Sequence, residues 1–141
     1  DGDLRLSGAG WWRDIVDIDE HDQAWQLMRE TVLEQKRVAD ESGATLVVLL
    51  FPFKEQAYWH VVQSFAADHE HCDPDRPYRM VAQLCAAEGI VAFDLTAGFR
   101  ERARAGDVLY LRDDAHWNEA GNELAGRLIA TFMRDHGLAA N

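Results

Sequence analysis

The feature that most limits how this chain can fold is an uninterrupted apolar run over residues 46–51, which lies between Gly43 and Pro52. A strand with one exposed face alternates apolar and polar side chains, whereas this run is apolar at every position and contains two adjacent valines. Such a strand is covered on both faces, and strands of this kind belong to parallel sheets packed between helices. The run is also far shorter than the ~20 residues that cross a bilayer.

Strand and helix patterns alternate along the rest of the chain. Strand patterns occupy residues 45–51, 90–95 and 108–111, and helical patterns occupy residues 22–42, 54–67, 78–87, 97–105 and 118–135. Parallel strands joined by helices form right-handed crossover units, so that the helices cover the sheet. The sequence therefore predicts a three-layer α/β fold, with a flavodoxin-like parallel sheet and helices on both faces.

The predicted sheet is thin, because three strands are few for a fold of this class. The 141 residues suit a single domain over residues 1–141, in which residues 1–20 form an irregular lead-in. We expect the sheet to be incomplete within this chain, which would leave an unpaired sheet edge. A segment preceding this chain, or a second chain, is expected to complete it.

The charge balance excludes two classes of partner. The chain has 14 Lys plus Arg against 25 Asp plus Glu, a net charge of −11. This charge repels phosphate backbones and anionic lipids, so the sequence predicts neither nucleic-acid binding nor membrane contact. No glycine-rich phosphate loop is present, and no cofactor is predicted. Cys72 and Cys85 are too few for a disulfide framework.

Polar side chains gather at the end of the third predicted strand, where Asp113, Asp114 and His116 precede the last helix. In open α/β sheets, functional groups lie beyond the carboxyl ends of the strands. A carboxylate beside His116 can accept a hydrogen bond from one ring nitrogen and leave the other nitrogen free to act as a general base. Asn118 is suited to cap the last helix and to hold this backbone in place.

The string Asp-x-His-Trp-Asn-x-x-Gly over residues 114–121 resembles the last conserved block of SGNH (GDSL-type) esterases and acyltransferases. Within that superfamily it is most similar to the Asp-x-His-Trp subgroup, which includes alginate-type polysaccharide O-acetyltransferases. Two further stretches resemble segments that precede this block. One is the strand and Pro-x-Lys turn over residues 46–58, and the other is Phe-Asp-Leu-Thr over residues 93–96. The resemblance covers most of residues 45–133.

The resemblance implies a chemistry and a role for each residue. His116 would be the catalytic base, and Asp114 would orient it; Asp113 is the alternative, because it matches the longer Asp-x-x-His spacing of other members. In this family a serine attacks an acyl carbonyl, and water or a sugar hydroxyl then accepts the acyl group. The substrate implied is a small acyl ester or an O-acetylated glycan. A location outside the cytoplasm is compatible with the resemblance.

The serine nucleophile of the family has no counterpart here. Ser42 lies at a helix end, Ser64 lies within a predicted helix, and Ser7 follows no recognisable strand, so none lies on a sharp strand-to-helix turn. We expect the serine to lie outside this chain, in preceding strands of a longer protein. The alternative is a non-catalytic α/β module that retains the motif and binds a partner or carbohydrate.

Two other clusters have simpler interpretations. His69, His71 and Cys72 are metal-ligand types, but zinc sites draw ligands from separated elements, so the sequence predicts a polar loop and no metal site. The adjacent Trp11 and Trp12 are expected to cover the edge of the sheet, with a lid or acyl-chain contact as the alternative.

Overall fold

The computed structural model describes residues 18–64 and 72–138. In these ranges the elements follow one another as α1 (Gln23–Glu41), β1 (Val47–Leu50), α2 (Lys54–Ala57), α3 (Trp59–Val62), α4 (Arg76–Ala87), β2 (Val91–Asp94), α5 (Thr96–Arg104) and α6 (Glu119–Asp135). Most of the predicted lead-in, Ser7, the Trp11–Trp12 pair, His69 and His71 lie outside the described residues.

Strands β1 and β2 pair in a small parallel sheet, and the α/β fold class is confirmed. The strand predicted over residues 108–111 is wrong: Tyr110 forms an isolated antiparallel bridge with Trp117. The backbone there bonds to the chain that follows it, since Asn118 N–H donates to the Leu109 carbonyl. Val108 is also 54% exposed, so the apolar run is not the covered strand that its composition suggests.

Within residues 18–138, contacts divide the described chain into two units. The sheet unit comprises residues 18–50 and 72–93, and the loop unit comprises residues 51–64 and 94–138. A single domain over residues 1–141 stays a prediction. None of the described helices is both long and apolar enough to cross a membrane.

The core of the sheet unit is made by α1, α4 and the strands. Its buried residues are Trp25, Val32, Leu84, Cys85 and Ile90, against which partly buried side chains such as Met28 and Val48 pack. The helical spacing of Trp25, Met28 and Val32 explains why α1 forms and which of its faces is buried. The helix ends before Gly43, whose positive φ of 69° is a conformation that glycine adopts without strain.

The core of the loop unit surrounds two tyrosines whose hydroxyl groups bind backbone. Tyr58 Oη donates to the Asp107 carbonyl at 2.8 Å and accepts from Leu109 N–H at 2.9 Å. Tyr110 Oη donates to the Pro52 carbonyl at 2.6 Å. These bonds satisfy polar groups that burial removes from water, and they fix the segment that leads into the polar residues at 112–116.

Tyr58 also breaks the helix predicted over residues 54–67. Its backbone angles (φ −99°, ψ 29°) are not helical, and the segment forms two short helices, α2 and α3, instead of one. The buried phenol bridges the backbone at positions 107 and 109, a tertiary contact that helical periodicity does not reveal.

Helix α6 begins where the sequence predicts, because Asn118 caps it. The Asn118 Oδ1 accepts from Gly121 N–H at 2.9 Å, and its Nδ2 donates to the Val108 carbonyl at 2.7 Å. Gly121 lies against the Leu109 carbonyl oxygen so closely that a Cβ there would be 2.1 Å from it. The start of α6 is thus joined directly to the chain that precedes the polar residues.

Candidate active site

The polar residues lie in a short loop over residues 111–116, called here the site loop. The Tyr110–Trp117 bridge closes its base, and Leu111 N–H donates to the His116 carbonyl at 2.9 Å. On one side the loop continues into the capped start of α6, and on the other it is held by the tyrosine contacts of Tyr58 and Tyr110. Both ends of the site loop are therefore held in place by contacts with neighbouring segments.

Asp114 and His116 are brought together inside this loop. His116 Nδ1 lies 2.5 Å from Asp114 Oδ1, and the same oxygen accepts the backbone N–H of His116 at 2.9 Å. The backbone hydrogen bond, followed by the ring hydrogen bond, lowers the pKa of Asp114 below its ordinary value. An ionised Asp114 favours the tautomer in which Nδ1 carries the proton.

The other ring nitrogen of His116 is accessible. The side chain is 84% exposed, and among the described residues no group hydrogen-bonds Nε2. With the proton held on Nδ1, Nε2 presents a lone pair to the surface. A base of this kind can take a proton from a hydroxyl group that approaches within hydrogen-bond distance.

Asp113, the alternative acid, has a different position. It is exposed. Burial lowers the pKa of Lys54 below its ordinary value, and the charge of Asp113 opposes that shift. The structure thus joins Asp114, at the shorter spacing, to the imidazole of His116. The catalytic roles of these residues stay predictions.

Lys54 is the residue of the site that the sequence reasoning missed. Its ammonium lies 2.8 Å from the carbonyl oxygens of Leu111 and Arg112 and 3.3 Å from that of Asp114. The residue is only 1% exposed, and burial lowers the pKa of its ammonium, while Glu55, Asp113 and Asp114 raise it. In the sequence, Lys54 is marked by its position in the Pro-x-Lys turn, directly after the apolar run over residues 46–51.

A cleft of about 460 Å³ opens beside His116. Its lining is mostly apolar and aromatic, with the imidazole and one amide as polar groups: Phe51, Pro52, Phe53, Ala115, His116, Trp117 and Asn122. The Trp117 ring meets Phe51 edge-on at a centroid distance of 5.1 Å and Phe99 at 5.0 Å. These ring contacts hold Trp117 as a wall of the cleft, next to His116.

Neither described serine lines this cleft. Ser42 Oγ donates to the Val38 carbonyl at 2.8 Å, and Ser64 Oγ donates to the Val61 carbonyl at 2.6 Å. Both hydroxyls are thus used by their own helical turns. In the part of the chain that the structure describes, the nucleophile of a triad is therefore not beside His116.

The described residues hold no group of three His, Cys, Asp or Glu side chains that could bind a metal ion. Cys72, the described member of the predicted polar loop, is a half-buried thiol without a disulfide. Cys85 lies in the core of the sheet unit, where burial raises the pKa of its thiol.

Comparison with known families identifies a match over most of the chain. The family model described as the SGNH hydrolase-like domain of the acetyltransferase AlgX matches residues 13–141. No curated protein and no solved structure matches the chain. The matched range contains Lys54, the site loop and every residue that lines the cleft.

Proposed function

Because this chain belongs to the family of SGNH hydrolase-like domains found in AlgX-type acetyltransferases, we propose that it supplies the base and the orienting acid of an O-acyltransferase or esterase site. The observation that carries the proposal is the hydrogen bond from His116 Nδ1 to Asp114 Oδ1, with Nε2 exposed at the mouth of the cleft. The reaction is acyl transfer from an ester to a hydroxyl group or to water.

The proposed reaction has two halves. His116 Nε2 removes the proton of a serine hydroxyl while the serine oxygen attacks the acyl carbonyl, and the imidazolium then protonates the departing alcohol. In the second half, Nε2 removes a proton from water or from a sugar hydroxyl, whose oxygen attacks the acyl carbonyl of the acyl-enzyme; the bond to the serine breaks, and the imidazolium returns the proton to the serine oxygen. Asp114 stabilises the imidazolium in both halves. We propose that the serine comes from a segment outside this sequence.

The cleft supports a small acyl ester or an O-acetylated glycan as the substrate. Its volume falls within the ~300–1,000 Å³ typical of ligand pockets, and its apolar lining suits an acyl group or the apolar face of a sugar. The Asn122 Nδ2 donates to the Asn118 carbonyl at 2.9 Å, so its Oδ1 is the atom that would accept a hydrogen bond from a sugar hydroxyl there.

The first prediction concerns His116. In the full-length protein, His116→Ala should reduce the turnover of p-nitrophenyl acetate by ~10³-fold or more, since general acid–base catalysis contributes ~10²–10⁴. The matched control is His21→Ala. His21 is also exposed, at 86%, and also neighbours a carboxylate, since its Nε2 lies 3.8 Å from Glu20. The control should keep the rate of the unmodified protein.

The same assay separates the alternatives. With an O-acetylated glycan as donor and an unacetylated glycan as acceptor, appearance of acetyl groups on the acceptor indicates transfer, and free acetate indicates hydrolysis. Full activity in His116→Ala would remove the imidazole from the mechanism. A full-length protein that binds the acetylated glycan but never turns it over would instead be the non-catalytic module, which the engaged hydroxyls of Ser42 and Ser64 favour within the described chain.

A further inference from the structure

The ammonium of Lys54 occupies the inner side of the site loop. Its three oxygen neighbours are the main-chain carbonyls of Leu111, Arg112 and Asp114, at 2.8, 2.8 and 3.3 Å. These residues are 57 to 60 positions away in the sequence, and they include the residue whose carboxylate meets His116. One side chain therefore binds the backbone of the site loop at three points.

The number of bonds matches the chemistry of the group. A lysine ammonium has three N–H donors and no acceptor, so three carbonyl oxygens satisfy it completely. With the residue 1% exposed, no donor is left over for a substrate or for solvent. Lys54 therefore acts on the protein, and its influence on a reaction passes through the loop that it binds.

The ammonium brings three carbonyl oxygens of the loop together. Carbonyl oxygens that converge on one point repel each other and lose their hydration, and each needs a donor when it is buried. Two N–H groups of the loop bond elsewhere, since Leu111 N–H donates to the His116 carbonyl and His116 N–H donates to the Asp114 carboxylate. The ammonium both neutralises the convergent dipoles and holds them at fixed spacing.

The backbone next to Lys54 is also held in place. The chain immediately before it is fixed where Tyr110 Oη donates to the Pro52 carbonyl at 2.6 Å. Immediately after Phe53, α2 begins, and the Gln56 side chain accepts from Phe53 N–H at 2.8 Å. The lysine thus connects two anchored segments, and the site loop cannot shift without stretching its contacts to the ammonium.

We propose that Lys54 is the positioning residue of the Asp114–His116 pair: by binding the carbonyls of residues 111, 112 and 114, it fixes the backbone that presents Asp114 Oδ1 to His116. This inference rests on the proposed function for its catalytic meaning. It assigns Lys54 no contact with substrate. The geometry of the Asp114–His116 pair would then depend on a side chain that is distant in the sequence.

The second prediction tests this role in the full-length protein with Lys54→Met, which removes the ammonium and keeps the length of the side chain. Lys36→Met is the matched control: Lys36 is the other lysine of the chain, and it pairs with Asp40 on the surface of α1. We expect Lys54→Met to lower kcat by ~10²-fold, as a misplacement of about 1 Å does, with KM changed much less. Lys36→Met should leave both unchanged.

Two spectroscopic measurements report on the pair itself, without any need for turnover. In Lys54→Met, the ¹³C titration of the Asp114 carboxyl should move up toward the ordinary pKa of 3.8, and the ¹⁵N shifts of His116 should show mixed tautomers. If both signals match those of the unmodified protein, Lys54 does not position the pair, whatever the activity. If the signals change but the unmodified protein turns over no ester, the proposed function fails and the positioning role stands.

If Lys54→Met does not fold, a measurement on the unmodified protein tests whether the loop carbonyls bind the Lys54 ammonium. An ammonium enclosed by three carbonyls exchanges its protons with water slowly, so the Lys54 Nζ signal should be observable near neutral pH under conditions where that of Lys36 is broadened. Coupling of the Lys54 signal to the carbonyl carbons of Leu111 and Arg112 is also expected. Exchange as fast as that of Lys36, without such coupling, would contradict the inference.

Discussion

Asp114 uses one carboxylate oxygen for two hydrogen bonds from a single residue. Oδ1 accepts both the backbone N–H of His116 and its ring Nδ1. A side-chain bond to the N–H two residues ahead is the local turn that aspartate commonly forms, so the sequence itself favours this geometry. The ring then needs only one rotamer to reach the same oxygen.

The third prediction follows from the low pKa of Asp114. A carboxyl group whose pKa is lower in the folded protein stabilises the fold above its unfolded value, and that stabilisation is lost as the pH falls through the folded value. For Asp114 the loss lies below the ordinary value of 3.8. The pair should therefore remain intact from neutral pH down to about pH 4, as followed by ¹³C titration of the carboxyl group.

Two hydrogen bonds from His116 lower the pKa of Asp114, and their effects differ in size. The backbone N–H of His116 lowers the pKa of Asp114 more than the ring does, and His116→Ala removes only the ring. In that variant the pKa of Asp114 should rise but stay below 3.8. A titration at or above the ordinary value in the unmodified protein would contradict the observed geometry.

At this scale the sequence predicts what is local and misses what is distant. Asp114 and His116 are two positions apart, so motif and spacing suffice to pair them. The contacts of Lys54 span 57 to 60 positions and end on main-chain carbonyls, which carry no residue identity that a sequence pattern could reveal. The cleft is likewise visible only in part, because Phe51 and Trp117 meet through folding.

At the scale of elements, the position of the site loop depends on the start of α6. Asn118 caps the helix, and Gly121 in its first turn packs against the Leu109 carbonyl oxygen. Since that oxygen also accepts Asn118 N–H, the helix and the segment that leads into the site loop share one contact point. A side chain at position 121 would separate them.

The fourth prediction concerns that contact. Gly121→Ala places a Cβ 2.1 Å from a backbone oxygen that cannot move freely, so the free energy of unfolding should fall by ~1–3 kcal/mol or more. Gly126→Ala is the matched control in the same helix: nothing lies within 4 Å of its Cβ, and the helix should gain ~0.5–1 kcal/mol. Urea unfolding measures both. Equal effects of the two variants would mean that α6 does not pack tightly against the Leu109 carbonyl.

Element boundaries were predictable where burial follows periodicity. The patterns for α1, α4, α5, α6 and both strands of the sheet correspond to structure within a few residues. The failures at residues 108–111 and 54–67 share a cause. Both segments contain a tyrosine whose hydroxyl binds distant backbone, and this tertiary contact overrides local preference.

At the scale of the molecule, the described chain has two cores, and Cys85 lies in the core of the sheet unit. Cys85 is fully buried in the sheet unit, whereas Cys72 is half-buried. The expectation that further strands complete the two-stranded sheet stays a prediction. Because a two-stranded sheet is weak by itself, the stability of this unit depends on the helices that cover it.

The fifth prediction uses that cysteine. Burial makes Cys85 inaccessible and raises the pKa of its thiol, which reduces the reactive thiolate. In native protein Cys85 should react with a thiol reagent at least ~10-fold more slowly than Cys72, and labelling should accelerate only when urea opens the sheet unit. Mass spectrometry of the labelled peptides gives both rates. Equal native rates would show that this core is open.

The double use of Asp114 Oδ1 has a consequence for how such a site is assembled. In the proposed site, acid and base come from a stretch of three consecutive residues, so they lie side by side whichever segment supplies the nucleophile, while Lys54 is proposed to hold that stretch in place. A hydroxyl arriving from either direction along the polypeptide, or from a neighbouring subunit, would find the same ready proton acceptor. In the proposed site, the segment that supplies the nucleophile therefore does not have to adjoin the segment that carries the proton acceptor.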